Sequence, residues 1–232
     1  MNTIKTLIAA SVVSAALLAA TGTTLAADKP VVGITADMAS VAVMHNGKET
    51  SITRNQDQNN TVDPAFAKTS RKCPPFCIQP AVIAPGVETI AEIEMLNYLS
   101  KMSAGDNSIL VIDSRTPDWV KKGTIAGAIN IPWTALNPAM GADPISIGEI
   151  MVEKFGVKEL EGLWDYSNAK TLVMFCNGMW CGQSPNNIKN LTKFGYPADK
   201  IKWYRGGMQD WEILGLSTAK DETTKDETTK GE

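Results

Sequence analysis

The chain has 232 residues, 44% of them hydrophobic and 20% charged, with a net charge of −3. That balance excludes wholesale disorder and a fibrous protein, and four arginines in all make no basic surface for a nucleic-acid backbone. The single histidine, His45, excludes His-rich metal sites and ties any Cys-His pairing to that one residue.

In chain order, Met1–Lys5 carries one positive charge, residues 6–20 are apolar and uncharged, and Thr24-Leu25-Ala26-Ala27 comes next. The apolar run is shorter than the roughly 20 residues of a membrane span. With a charged start and a small-residue exit, residues 1–26 read as a secretory signal peptide cleaved after Ala26. The other reading is an uncleaved anchor. Export to a periplasm is the expectation, with no membrane contact after signal removal, and cysteines there meet oxidising conditions.

Residues 27–86 read as an N-terminal extension. Ser40–His45 and Lys48–Arg54 flank Asn46-Gly47, a strong hairpin signal because both turn residues tolerate positive φ. Residues 55–63 are polar and loop-like, and Cys73-Pro74-Pro75-Phe76-Cys77 is a stiff loop. One hairpin and one loop do not fold alone, so the extension should pack on the domain C-terminal to it. Cys73 and Cys77 read first as a disulfide of an exported protein. A redox or relay dithiol is the second reading. A metal site is the third, disfavoured because no histidine or carboxylate cluster accompanies the pair. No metal or other cofactor is expected, and His45 reads as a plain surface residue.

From Val87 the pattern alternates helix and strand. Thr89–Met102 carries one apolar helical face, with Thr89 and Glu92 as its capping box. Ile109–Ile112 is a continuous apolar run ending at Asp113, as for a strand buried on both faces. Ala128–Pro132 is a second short strand, Ile145–Phe155 a helix, and Thr171–Phe175 a third strand leading into Cys176. Pro185–Phe194 reads as a helix with Ser184 at the N-cap and Pro185 at N1. Ile201–Tyr204 is the fourth strand and Met208–Leu214 the last helix. The alternation predicts a parallel α/β sheet flanked by helices. In such sheets ligands sit beyond the carboxyl ends of the strands, where Asp113 and Cys176 fall. Residues 220–229 repeat Lys-Asp-Glu-Thr-Thr, so 219–232 reads as a disordered tail.

Cys176-Asn177-Gly178-Met179-Trp180-Cys181-Gly182 joins a strand to a helix N-terminus. Amides of Asn177, Gly178, Met179, Trp180 and Gly182 can point inward as an anion cradle, and the helix dipole adds to it. A thiol held there is favoured as thiolate, the nucleophilic form. Cys176 is thus the candidate nucleophile for a sulfane sulfur carried as a persulfide. Cys181 is a candidate resolving or redox partner, or a small buried loop residue. Met179 and Trp180 read as an apolar mouth or as packing. Asp113 and Arg115 read as an internal network supporting the loop.

Four stretches then resemble the rhodanese (sulfurtransferase) family. Leu110–Arg115 is similar to its strand ending in Asp-x-Arg, and Gly123–Pro132 to its glycine-rich turn and the strand after it. Val173–Cys176 matches the placement of the catalytic cysteine, and Tyr204–Leu216 the closing Gly-Gly turn and Trp-bearing helix. The resemblance covers residues 87–218. It implies a rhodanese-like α/β sheet and sulfur transfer at Cys176 from a sulfane donor to a thiol or cyanide acceptor, small molecule or protein. Two departures stand out. Residues 177–183 contain no cation of the kind family members use to hold thiosulfate, and Thr124 stands where the family carries histidine. Two other functions are open to the same residues: a non-catalytic binding module for a periplasmic redox partner, and a dithiol oxidoreductase using Cys176 and Cys181.

Overall fold

The computed structural model describes residues 31–220. The signal-peptide segment and the repeats beyond Lys220 lie outside the described residues.

Strands β1 (Ser40–His45) and β2 (Lys48–Thr53) form the expected antiparallel hairpin, with Asn46 at φ 50° and Gly47 at φ 77° in the turn. The hairpin does not stand free. Val41, Val43 and Ile52 are buried against residues of the main core, and the Met44 amide donates to the Ser103 hydroxyl at 3.0 Å. His45, read from sequence as a plain surface residue, instead accepts the Gly127 amide on Nδ1 at 3.1 Å. It docks the hairpin onto the glycine-rich turn.

The main body runs through β3 (Glu88–Ile90), α1 (Glu92–Ser103), β4 (Ile109–Asp113), α2 (Pro117–Val120) and β5 (Ile129–Asn130). Next come α3 (Pro144–Glu153), β6 (Lys158–Leu160), β7 (Leu163–Asp165), β8 (Thr171–Phe175), α4 (Gln183–Lys193), β9 (Ile201–Tyr204) and α5 (Gly207–Ile213). Five strands make one parallel sheet in the order β3-β9-β8-β4-β5. The central strand β8 is buried on both faces. Val173 and Phe175 join the cluster with Leu99, Val111 and Trp211, while Leu172 and Met174 join that with Ile112, Ile188 and Trp203. Four such side chains contribute about 1.5–3 kcal/mol each when fully buried, so the strand that carries Cys176 at its end is rigidly held.

Several local expectations are corrected. Thr89 does not cap α1: it lies in β3, its hydroxyl donating to the Ala81 carbonyl, and α1 starts after Ala91, whose amide donates to Glu94 Oε2 at 3.1 Å. Residues 128–132 pair only at Ile129–Asn130. The Ala128 amide is taken by a turn to Ile125, and Pro132 has no amide to give. The sequence reading missed the β6–β7 hairpin, whose turn places Glu161 at φ 53° and Gly162 at φ 81°. Ser184 is not an N-cap: α4 begins at Gln183 behind Gly182, which leaves the serine hydroxyl for another task. The described chain also pairs one residue beyond the expected boundary at 218, Ala219 bridging Thr124 in both directions at 2.8 Å.

Candidate functional site

Parallel strands bring the carboxyl ends of β4, β8 and β9 to one side of the sheet, and Cys176 comes directly after β8. Its carbonyl accepts the Met208 amide at 3.0 Å, and the Asn177 carbonyl accepts the Gln209 amide at 3.0 Å. The loop is thereby clamped to the start of α5. Inside it the Cys181 amide closes a turn onto the Gly178 carbonyl at 2.9 Å.

Cys176 is 2% exposed and its thiol is free, as is that of buried Cys181. The Ser184 hydroxyl donates to Cys176 Sγ at 3.1 Å, and Trp203 Nε1 donates to the same hydroxyl oxygen at 3.1 Å. The indole N–H takes one lone pair of the serine oxygen, and the hydroxyl proton goes to the sulfur. Burial pushes the Cys176 thiol up, because charge is costly in a dry site. Hydrogen bonds from the Cys181 thiol, the Ser184 hydroxyl, and the Ser184 and Gly178 amides outweigh burial and bring it down to about 7. Cys181 is held far above the ordinary thiol range by its bond to Cys176, by burial, and by the Cys176 charge. Of the two thiols, Cys176 is thus the one that ionises first, and Cys181 stays a neutral thiol beside it.

The amide cradle expected of residues 177–182 is shared between the two sulfurs. Gly178 and Ser184 serve Cys176, and Asn177 and Gln183 serve Cys181. Sequence reasoning missed Ser184 and Trp203 as site residues. A hydroxyl in the first turn of the helix behind the cysteine was the available signal. Removing the hydroxyl by Ser184→Ala is expected to raise the Cys176 midpoint by about one pH unit, the worth of one hydrogen bond to a charged group. The thiolate is the form above the midpoint, so the variant loses reactivity most between about pH 7 and 8 and recovers it in alkali. Ultraviolet thiolate absorbance against pH checks this.

Asp113 and Arg115 form the internal network. Both are 0% exposed, with Arg115 Nε 3.0 Å from each carboxylate oxygen and Nη2 2.6 Å from Oδ2. Nη2 also donates to the Gly123 carbonyl at 2.6 Å, and the Thr124 hydroxyl donates to Asp113 Oδ2 at 2.7 Å. The network ties β4 to the glycine-rich turn, and neither charge lines the cleft beside the cysteine loop.

That cleft, about 400 Å³, has Asn177, Cys181 and Gly182 as its floor. Its walls come partly from the extension. Cys73 and Cys77 are joined by a disulfide with Cα atoms 4.6 Å apart. Phe76, between them, packs edge-on against Trp180 with centroids 5.6 Å apart. Gln79 donates its amide to the Met179 carbonyl at 2.8 Å, and its own carbonyl accepts from Arg205 Nη2 at 2.8 Å. Trp180 is pinned by Gln209 at 2.8 Å and lines the cleft, whereas the Met179 side chain does not. Among the described residues no three metal-ligating side chains cluster, and no helix is long and apolar enough to cross a membrane.

Comparison with known proteins bears on this geometry. The rhodanese-like domain family matches residues 95–214, more than half of the chain. A mitochondrial protein of Schizosaccharomyces pombe, provisionally named a thiosulfate sulfurtransferase, is 28% identical over 126 residues, 53% of this chain and 77% of that protein. Among solved structures, a Bacillus halodurans protein is similar with TM-score 0.41 and 16% identity, covering 57% of this chain and 77% of its own. A human single-domain sulfurtransferase is similar with TM-score 0.35 and 20% identity, covering 54% of this chain and 95% of its own.

Proposed function

We propose a function on one premise: the chain belongs to the rhodanese-like domain family. Cys176 accepts sulfane sulfur and passes it on. Its thiolate attacks the outer sulfur of a sulfane donor, the donor's sulfur–sulfur bond breaks, and the electron pair leaves with the departing group. Cys176 then carries a persulfide. A thiolate or cyanide attacks the terminal sulfur and regenerates the Cys176 thiolate. The observation that carries this reading is geometric: Cys176 follows directly on the end of buried strand β8, with the Ser184 hydroxyl donating to its sulfur at 3.1 Å.

The exported setting is part of the proposal. It rests on the signal pattern of residues 1–26 and agrees with the Cys73–Cys77 disulfide, which an oxidising compartment preserves. Fractionation of cells is expected to recover the protein, shortened at its N-terminus, in the periplasmic fraction. Recovery of the full-length chain in the cytoplasm would remove this part.

Steady-state transfer from inorganic polysulfide to a thiol tests the chemistry. Cys176→Ser is expected to lose on the order of a thousandfold or more, the cost of deleting a nucleophile. Because the loop brings Cys181 back to Cys176, whose Sγ lies 3.5 Å from the Cys181 carbonyl oxygen, dithiol exchange is the second reading. Cys181→Ser separates the two. Sulfur transfer survives it with a higher Cys176 midpoint, whereas disulfide exchange does not survive. A wild-type protein that transfers no sulfur but cycles a Cys176–Cys181 disulfide would replace the first reading by the second.

A further inference from the structure

Cys176 is 2% exposed and does not line the cleft, which ends on Asn177, Cys181 and Gly182. A molecule in the cleft therefore meets the loop and not the nucleophile. Two sets of contacts hold that loop. Its first residues, Cys176 and Asn177, are clamped to α5 by backbone bonds. Met179 and Trp180 are gripped by the extension. The Arg71 guanidinium stacks on the Trp180 ring, 3.8 Å from its centroid, and Phe76 meets the same ring edge-on at 5.6 Å. The Gln79 amide donates to the Met179 carbonyl at 2.8 Å, and Arg205 Nη2 anchors the Gln79 carbonyl at 2.8 Å. From α5, Gln209 Oε1 accepts Trp180 Nε1 at 2.8 Å. Gly178 and Gly182 bound the gripped segment 179–181, and small residues at both ends suit it to hinge.

The three grips surround one covalent link. Arg71 precedes the Cys73–Cys77 disulfide, Phe76 lies inside it, and Gln79 follows it. The disulfide joins residues four apart and so keeps the three grips in one rigid piece. Cys73 is exposed and Cys77 half-buried, whereas Cys176 and Cys181 are buried. Of these sulfurs, those of the disulfide are the ones a solvent thiol reaches.

We propose that the extension is a strap that holds the cysteine loop shut over Cys176, and that reduction of the Cys73–Cys77 disulfide by a dithiol releases it. A thiolate of the dithiol attacks one sulfur of the disulfide, and the other leaves as a thiolate. The second thiol of the reductant resolves the mixed disulfide. Two electrons pass to the protein, which ends with thiols at Cys73 and Cys77, and the dithiol ends as a disulfide. The freed stretch then gains conformational entropy by letting go, so the open loop becomes more populated. As a control on sulfur loading, the strap rests on the sulfur-transfer reading above.

Iodoacetamide, small and uncharged, reads access to Cys176 without sulfur chemistry. In the full chain with its disulfide intact, Cys176 is expected to react slowly, followed by peptide mass spectrometry. In Cys73→Ser/Cys77→Ser, which needs no reductant, the rate is expected to rise roughly 10- to 100-fold, the worth of a cross-link closing a short loop. Wild type reduced with dithiothreitol and then freed of it rises to the same rate. Phe76→Ala, which keeps the disulfide and drops one grip, falls between. A cooperative unfolding transition well above the assay temperature shows that each variant is folded. The factor holds at about pH 7 and at about pH 9, because access changes and ionisation does not. Equal rates in wild type and Cys73→Ser/Cys77→Ser, or a factor confined to neutral pH, overturns the proposal. Failure of the two ideas is separable. If access changes as expected and no donor ever loads Cys176, the strap stands and sulfur transfer falls. If the alkylation rates are equal while a donor loads Cys176, transfer stands and the strap falls.

Discussion

Asp113→Ala is expected to cost about 3–5 kcal/mol of folding stability, because it strands a buried guanidinium. Arg115 is fully buried, and Asp113 takes its Nε and Nη2 donors, with Gly123 sharing the latter. Nη1 already has no partner, so the residue has nothing in reserve. The loss is not the worth of the ion pair itself, since removing both charges strands no ion and leaves only neutral groups, the Thr124 hydroxyl and the Gly123 carbonyl, without these partners. The double variant Asp113→Ala/Arg115→Ala is therefore expected to be less destabilised than the sum of the two single variants. Urea unfolding of all four proteins measures this. Simple additivity would mean that the pair is not coupled. The effect should reach the site as well, since the network fixes the end of β4, whose neighbour in the sheet leads into Cys176.

Gly207→Ala is expected to be the most damaging single-methyl change in the loop region. Gly207 sits at φ +57°, and a Cβ there would fall 2.8 Å from the Gly178 amide nitrogen and closer still to the Cys176 carbonyl oxygen. Both obstacles are backbone atoms of the cysteine loop, so relief means moving the loop away from α5. A left-handed non-glycine conformation alone costs about 1–2 kcal/mol; the clash adds to it, for an expected total of about 3 kcal/mol or more. Gly105→Ala isolates the conformational part, being at φ +98° with nothing within 4 Å of the added carbon. Gly105→Ala should keep full sulfur loading on Cys176, whereas Gly207→Ala should lose most of it even where the protein remains folded. Equal loading in the two variants would show that the Gly207 contact does not position the loop.

The sheet was legible where burial is two-sided. Ile109–Asp113, Thr171–Phe175 and Ile201–Tyr204 are short apolar runs, and each is a strand with the expected ends. The helix starts were less legible because several residues near each start can cap. Thr89 and Ser184 both looked like caps, yet one went into an edge strand and the other to the Cys176 sulfur. Local sequence does not tell a hydroxyl that caps a helix from one that the end of a neighbouring strand claims through packing. Cys176 itself was readable from a strand running into a loop before a helix. Arg71 was not, because a lone arginine in a polar, proline-rich stretch has no periodicity and meets Trp180 only through the fold. The extension was likewise legible as a hairpin and a stiff loop, but not as the wall of the cleft.

The central claim, that sulfur is carried on Cys176, is tested most directly by locating it. The full-length protein is incubated with inorganic polysulfide, its thiols and persulfides are alkylated, and the peptides are mapped by mass spectrometry. One added sulfur on Cys176 is expected, with Cys181 alkylated as a plain thiol and no added sulfur in Cys176→Ser. Sulfur found on Cys181, or retained in Cys176→Ser, would contradict the claim.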